Sequence, residues 1–264
     1  MNYSFTIFTA VSIVIVSLFS AFMAGGAVLG IGLNESESSQ KTYTLLSFIV
    51  GQGFMIVPLI LFLIKKKEPV LMRLRLNPVD KHILFLSFLL SFGVIILSDE
   101  FDRIVQIFFP APDYIINMDN LLKPESPLAL FLLFVAVSLL APIGEELLFR
   151  GFFQQFLESY WKDITKAVLF TSLFFAIIHM NPFWFIQIYI LGILLGYLAW
   201  KTNSIFPSLI LHSLNNTVAI IISYGNLDKT SLYIKSGHVN PIILVFAFFL
   251  IYVSFNKIKK YQPN

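Results

Sequence analysis

Eight apolar stretches divide the chain, and most of them have about the length that crosses a lipid bilayer. One helical crossing needs about 20 predominantly apolar residues. The third and eighth stretches are shorter than the others. The sequence therefore predicts an all-α, polytopic membrane helix bundle with about eight transmembrane helices, at residues 5–32, 43–64, 82–98, 127–148, 164–180, 183–200, 206–223 and 241–255.

Composition excludes several other classes of protein. Of the 264 residues, 57% are hydrophobic and only 12% are charged, which is too apolar for a soluble domain of this size. The absence of cysteine excludes disulfides, thiolate metal sites and cysteine nucleophiles. The first stretch lacks a basic flank and a cleavage site, so we interpret it as a retained span. We expect a multi-pass integral protein of a bacterial cell membrane, with no nucleic-acid partner.

The lysines and arginines predict the orientation of the bundle, because cytoplasmic loops carry an excess of these residues. With a cytoplasmic amino terminus, 13 of the 18 fall in inner segments and five in outer segments. This distribution predicts that both termini are cytoplasmic. The inner residues are Lys65, Lys66, Lys67, Arg73, Arg75, Lys81, Arg150, Lys162, Lys166, Lys201, Lys257, Lys259 and Lys260.

The connecting segments allow further predictions. Segment 65–81 is basic and amphipathic, so we expect it on the inner membrane surface in contact with anionic lipid. Segment 99–126 is predicted to be an irregular outer loop with one short helix. No internal repeat of the kind found in secondary transporters is present. Two glycine pairs spaced by four residues permit close helix approach: Gly26 with Gly30, and Gly192 with Gly196.

Several ionisable residues fall inside the predicted spans, where each costs at least about 2.5–3.5 kcal/mol on insertion. Their presence therefore calls for a reason. We interpret His82 and His238, which lie at a span edge and in a loop, as structural. The remaining candidates are Glu145, Glu146, Arg150, His179 and His212, with the neutral Asn215 and Asn216 beside them.

A spacing of four residues recurs among these candidates and places two side chains on one helix face. Glu145 is rotated by about 100° from its neighbour Glu146, so one carboxylate can be held by an arginine while the other faces a cavity. Pro142 and Gly144 precede them and predict an ordinary kink of a membrane helix, although a helix widened there would admit water. The three pairs are Glu146 with Arg150, Phe175 with His179, and His212 with Asn216.

The polar groups are also predicted to share one depth. Glu145 and His179 are equidistant from Lys162, in the inner turn, and both lie about 25 Å along their helices from it. If the hairpin around that turn projects about 10 Å into the cytosol, both residues reach the level of His212. That level lies about 10–15 Å below the cytoplasmic surface.

Three interpretations of this group remain open on the residues alone. A carboxylate and a histidine can activate water, while a second imidazole and an amide stabilise an oxyanion. Glu145, His179 and His212 can alternatively bind a catalytic zinc. The third interpretation is a set of interhelical contacts without catalysis. The sequence contains no G-x-S-G, H-E-x-x-H or G-x-G-D motif of other intramembrane proteases.

Three motifs carry a resemblance to a known family. "EELLFR" (145–150), "FAIIH" (175–179) and "HSLNN" (212–216) match E-E-x-x-x-R, F-x-x-x-H and H-x-x-x-N in that order. The chain resembles the CAAX protease and bacteriocin-processing family of intramembrane proteases, also called the CPBP or Abi family. The resemblance covers about residues 125–223, and Gly151 continues the family's "FRG" pattern.

The resemblance implies a role for each motif residue. Glu145 acts as general base with His179 on the attacking water, and His212 and Asn216 form the oxyanion hole. Metal use in the family is unsettled; we favour glutamate-activated water without a cofactor over zinc. The implied site residues are Glu145, Glu146, Arg150, His179, His212 and Asn216.

The same resemblance predicts the organisation of the chain and its partners. Residues 1–124 form a variable membrane region, residues 125–223 the catalytic core, and residues 224–264 an outer loop, the last span and a basic cytoplasmic tail. The implied partners are membrane lipid and a peptide or protein substrate at the cytoplasmic leaflet. The alternative is a non-catalytic membrane partner, such as a sensor-kinase modulator or a bacteriocin self-immunity protein. The oligomeric state and the substrate stay unspecified.

Overall fold

The computed structural model describes residues 3–113, 115, 123–225 and 232–263. Within these residues the chain is a helix bundle, and strands β1 (Ile234–Lys235) and β2 (His238–Val239) form one small antiparallel hairpin. The predicted all-α class is thereby confirmed. The helices are α1 (Ile7–Gly32), α2 (Glu37–Lys65), α3 (Val70–Arg73), α4 (Lys81–Phe108), α5 (Pro127–Trp161), α6 (Ile164–Ile178), α7 (Phe185–Thr202), α8 (Phe206–Gly225) and α9 (Pro241–Lys260).

Each of the eight predicted spans corresponds to a helix, and seven helices in the described residues are long and apolar enough to cross a membrane. Helix α6 is the exception, with 15 residues. At 1.5 Å per residue it covers about 22 Å, less than the hydrocarbon thickness. The predicted bundle is confirmed as a membrane bundle of seven long helices and one short one.

The predicted start of the outer loop, at residue 99, is too early. Helix α4 continues to Phe108, ten residues beyond the predicted end of the third span. Charged residues end the apolar run there, but they bond to one another along the helix: Arg103 donates to Asp99 at 3.0 Å and Gln106 donates to Asp102 at 2.6 Å. These pairs allow the helix to extend past the apolar stretch. Of the rest of this loop, residues 114 and 116–122 lie outside the described residues.

Both termini lie at the same end of the bundle. The hydroxyl of Tyr3 donates to Gln155 at 3.2 Å, near the end of α5. Asn77, in the segment between α2 and α4, donates to the carbonyl of Asn203 at 2.7 Å. Tyr261 lines the same groove as these two asparagines. This arrangement agrees with an even number of crossings, and the assignment of that end to the cytoplasm stays a prediction from the basic residues.

The basic segment between α2 and α4 packs against other parts of the protein. Arg73 and Arg75 are 6% and 3% exposed. Arg73 pairs with Glu68 at 2.7 Å, and Arg75 pairs with Glu158 on α5. Arg75 therefore braces the carboxyl-terminal end of α5 and Arg73 is held within the segment, whereas the sequence predicted that the segment would contact lipid.

The amino-terminal segment packs on the same part of α5. The guanidinium of Arg73 lies 3.9 Å from the ring centre of Tyr3, whose pKa is raised to about 12 by burial. The Tyr3 ring also packs edge-on against Phe156. The inner end of α5 is thus covered by protein, although its hairpin was predicted to be an amphipathic projection into the cytosol.

Close helix approach occurs at glycines other than those predicted in the first span. An added Cβ at Gly25 would lie 2.8 Å from the Ser47 carbonyl oxygen on α2, while Gly26 and Gly30 face open space. The second predicted pair does mark close contacts: the chain around Gly192 lies against Ser172, and that around Gly196 lies against Gln154 and Val168. Spacing alone did not identify the contact face of α1.

Gly151 offers a test of how tightly the segment after α3 is packed on α5. An added Cβ there would lie 2.6 Å from the backbone oxygen of Leu74. Because backbone cannot move aside as a flexible side chain does, we expect Gly151→Ala to destabilise the protein by about 1–3 kcal/mol. Gly26→Ala is the control, since it meets nothing within 4 Å. Thermal unfolding in detergent measures both, and equal transition temperatures would contradict this packing.

Candidate active site

Helix α5 changes its winding twice around the two adjacent glutamates. π-helical segments Val135–Leu140 and Glu146–Gln154 flank a single α-helical turn, Ala141–Glu145. Pro142 and Gly144, which predicted a kink, lie in that α-helical turn, and the winding on either side of it is wider than a regular α-helix. Local π-helical winding occurs often at functional sites, where it redirects side chains that regular winding would hide. It places one glutamate at the end of the α turn and the other at the start of the second π-helical segment.

Glu146 and Arg150 form the ion pair that their spacing predicts. Arg150 Nη1 donates to Glu146 Oε1 at 2.9 Å, and both side chains are fully buried. The guanidinium also donates to the carbonyl of Gly192 on α7 at 3.4 Å and lies 4.1 Å from the ring centre of Phe175 on α6. One cation therefore joins three helices in the centre of the bundle.

His212 connects the two glutamates. Its Nδ1 lies 2.9 Å from Glu146 Oε1, and its Nε2 lies 3.8 Å from Glu145 Oε2. Since a carboxylate paired with arginine can only accept, Nδ1 carries a proton and donates to it. In the neutral ring Nε2 is an acceptor facing Glu145, and protonation of the ring turns it into a donor. The His212 side chain is 5% exposed.

His179 approaches Glu145 from another helix and has the same tautomer. It caps α6, and its Nδ1 lies 2.7 Å from the carbonyl of Phe175, which can only accept. Its Nε2 lies 4.0 Å from Glu145 Oε2. The chain turns away directly afterwards, because Met180 adopts a φ of 47° and Asn181 accepts bonds from two following backbone N–H groups. The imidazole is left 30% exposed at the end of the helix.

Three hydrogen-bond acceptors therefore converge on one small region: a carboxylate oxygen of Glu145 and the Nε2 atoms of His179 and His212. Glu145 Oε2 is buried and has no hydrogen-bond partner among the described residues. A molecule that donates protons, such as water, fits between these atoms chemically. In such a cluster a carboxylate and an imidazole can together take up the proton of an attacking nucleophile.

Asn216 lies one turn beyond His212 on α8, as predicted, and its amide is engaged. Its Nδ2 donates to the carbonyl of Val137 on α5 at 2.9 Å. The neighbouring Asn215 donates to Asn216 Oδ1 at 3.4 Å. One N–H of the Asn216 amide remains for a ligand. The structure thus brings five of the six predicted site residues into contact, with Asn216 one turn further along α8, while their catalytic roles stay predictions.

The carboxylate oxygen of Glu145 lies farther from each imidazole than two ligands of one zinc lie from each other. Two ligands of a tetrahedral zinc, each bound at 2.0–2.1 Å, lie about 3.3 Å apart. The corresponding separations from Glu145 Oε2 are 3.8 Å to His212 and 4.0 Å to His179. Among the residues that the structure describes, no three His, Cys, Asp or Glu side chains are arranged to hold a metal ion.

Sequence reasoning missed several contributors to the site. Phe175 was assigned only to pack beside His179, yet its ring also contacts His212, with centroids 5.8 Å apart. Gln154 is fully buried and donates to Glu158 at 2.8 Å and to the carbonyl of Gly196 at 2.9 Å. A glutamine in an amphipathic stretch gives no signal of burial. These contacts form between different helices, so the sequence of one helix does not reveal them.

A cavity next to the site was also not predicted. It lies between α4, α7 and α8, has a volume of about 310 Å³ and is partly lined by Asn215. Asp99, Asp102, Trp184 and Gln187 form part of its polar wall. Since its lining comes from three separate helices, no local pattern could identify it.

The remaining histidines lie elsewhere: His238 bonds to Glu100 at 2.7 Å in the hairpin, and His82 is exposed near the start of α4.

Comparison with known proteins supports the assignment made from the motifs. Residues 127–218 match the family model described as type II CAAX prenyl endopeptidase Rce1-like. The matched segment is about a third of the chain, contains all three motifs and falls inside the predicted core. It confirms the resemblance to CAAX proteases and supports a CAAX protease-like enzyme in the membrane. No curated protein and no solved structure matches the chain significantly.

The buried ion pair makes a prediction about stability. Glu146→Gln leaves the Arg150 guanidinium buried without its carboxylate, and breaking such a pair costs about 3–5 kcal/mol. We expect a lower thermal unfolding temperature and less folded protein in detergent. Removing the charge as well, in Glu146→Gln with Arg150→Met, should recover part of the loss.

Glu100→Gln is the matched control, because its histidine partner, His238, is 44% exposed and stays solvated. A Glu146→Gln variant as stable as Glu100→Gln would contradict the central place of this pair.

Proposed function

We propose that the protein is an intramembrane endopeptidase that hydrolyses a peptide bond in a membrane-associated or lipidated peptide or protein. The observation that carries this proposal is the convergence of two imidazole Nε2 atoms on the buried carboxylate oxygen of Glu145. The match to the CAAX endopeptidase family supports the same reaction class. Membrane lipid and a substrate at the cytoplasmic leaflet are the partners that this function requires.

The first step activates water. The water oxygen attacks the carbonyl carbon of the scissile bond while its proton passes to the Glu145 carboxylate, with the Nε2 of His179 accepting a hydrogen bond from the same water. The carbonyl becomes a tetrahedral oxyanion. When that intermediate collapses, the C–N bond breaks and the proton held by Glu145 passes to the leaving amine. The reaction thus consumes one water and releases a carboxylic acid and an amine.

The oxyanion is stabilised from α8. One N–H of Asn216 remains for this purpose, and His212 can supply the second donor only when its Nε2 is also protonated. The Glu146 carboxylate, 2.9 Å from Nδ1, stabilises that imidazolium. A buried, preorganised donor of this kind contributes about 10²–10³ in kcat. The oxyanion role of His212 therefore depends on Glu146, whose Oε1 accepts from both His212 and Arg150.

The first experiment compares wild type with Glu145→Gln in native membranes. Mass spectrometry of peptide termini released from membrane-associated proteins measures the difference, and we expect specific termini to vanish in the variant. The amide keeps the size of the side chain but cannot take a proton, so cleavage should fall by at least about 10³-fold.

The control is Glu35→Gln, which changes an exposed carboxylate in the turn between α1 and α2 and should leave the termini unchanged. Both variants must accumulate to the wild-type level. Identical termini in wild type and Glu145→Gln, in cells that need the protein, would favour the non-catalytic membrane partner instead.

Metal dependence has its own test, using a cleaved peptide identified in that experiment. Protein purified in detergent is dialysed against a chelator, and its zinc content and cleavage rate are then measured. Glutamate-activated water predicts an unchanged rate in metal-free protein. A rate that falls with the zinc content and returns on adding zinc would replace this mechanism with a metalloprotease.

A further inference from the structure

The backbone of α5 leaves one carbonyl without its usual partner. In a π-helical segment each carbonyl accepts from the N–H five residues later, and Ala136 does so from Ala141. The next carbonyl, that of Val137, has Pro142 at the corresponding position, and proline has no N–H. The winding and the proline together free the Val137 oxygen within a membrane-spanning helix.

Asn216 supplies the missing donor from another helix. Its Nδ2 lies 2.9 Å from the Val137 oxygen. Backbone groups inside a membrane bundle need such partners, because no solvent replaces them. This bond fixes the plane of the Asn216 amide, and the bond from Asn215 to its Oδ1 fixes which end carries the oxygen. The second N–H then has a set direction.

We propose that Pro142 is a positioning residue for the reaction: by withholding its N–H from Val137, it holds the Asn216 amide in the orientation that presents its remaining N–H to the oxyanion. The catalytic part of this inference rests on the proposed function. The hydrogen-bond part does not. Pro142 lies three residues before Glu145, so the same bond also fixes the general base on α5 relative to the donor on α8.

A double-mutant cycle between Pro142→Ala and Asn216→Ala tests the proposal. Alanine restores the N–H at position 142, which can then satisfy Val137 and release the amide. We expect Pro142→Ala to lower kcat by about tenfold with little change in KM, because a misplaced donor acts mainly in the transition state. Asn216→Ala should lower kcat by about 10²–10³, and the double variant no further.

Thermal unfolding of the same four proteins gives a readout that needs no substrate. In the wild-type background Asn216→Ala leaves Val137 unpaired and should lower Tm by about 2–4 °C. In the Pro142→Ala background the carbonyl has its own donor, so the Tm loss should be less than half as large. Pro58→Ala, which removes another proline inside a helix, is the control and should not change the effect of Asn216→Ala.

The outcomes separate the two proposals. Equal Tm losses in both backgrounds overturn the coupling, whether or not the protein cleaves peptides. Independent, multiplying losses in kcat overturn the positioning role even if cleavage is established. Tm coupling in a protein without proteolytic activity leaves the hydrogen bond intact, overturns its catalytic role and rejects the proposed function.

Discussion

The rest of the site depends on the buried carboxylate of Glu146. It accepts from Arg150 at 2.9 Å and from His212 at 2.9 Å, with no exposure of its own side chain. Taking such charges out of water costs several kcal/mol per ion unless good geometry and additional hydrogen bonds compensate. The Gly192 carbonyl and the Phe175 ring, on two other helices, contribute to that compensation. The cost of burying one charge is thus what fixes α5, α6, α7 and α8 in a single arrangement.

In this arrangement the two adjacent glutamates have different surroundings. One oxygen of Glu146 accepts from Arg150 and from His212, so this carboxylate orients two other side chains of the site. Glu145 faces the imidazoles of His179 and His212, and its Oε2 has no hydrogen-bond partner among the described residues. The chemistry of each residue follows from its partners and not from its type, which is a common route to acid and base roles at neutral pH. Neither role survives if the helix winding moves either side chain to the other face.

Contacts within one helix were predictable from the sequence, and contacts between helices largely were not. The spacing of four residues predicted the Glu146–Arg150 pair, and the apolar stretches predicted the bundle. The extent of α4 was underestimated because side-chain pairs such as Arg103–Asp99 extend a helix where hydropathy ends. The bond from Asn216 to Val137 was invisible, because it needs π-helical winding that spacing does not reveal. The contact glycine of α1 likewise depends on which face α2 covers.

The segment that matches the family model does not pack alone. Residues outside 127–218 contact the motif-bearing helix at several points: the Leu74 backbone leaves no room beyond hydrogen at Gly151, and the end of the Met55 side chain packs against Gly144. The side chain of Arg75 binds Glu158 at the inner end of α5. A helix wound partly as π depends on its neighbours, because regular α-helical winding is the alternative. The amino-terminal helices therefore act on the site by fixing the backbone that carries Glu145, although the motifs themselves lie elsewhere in the chain.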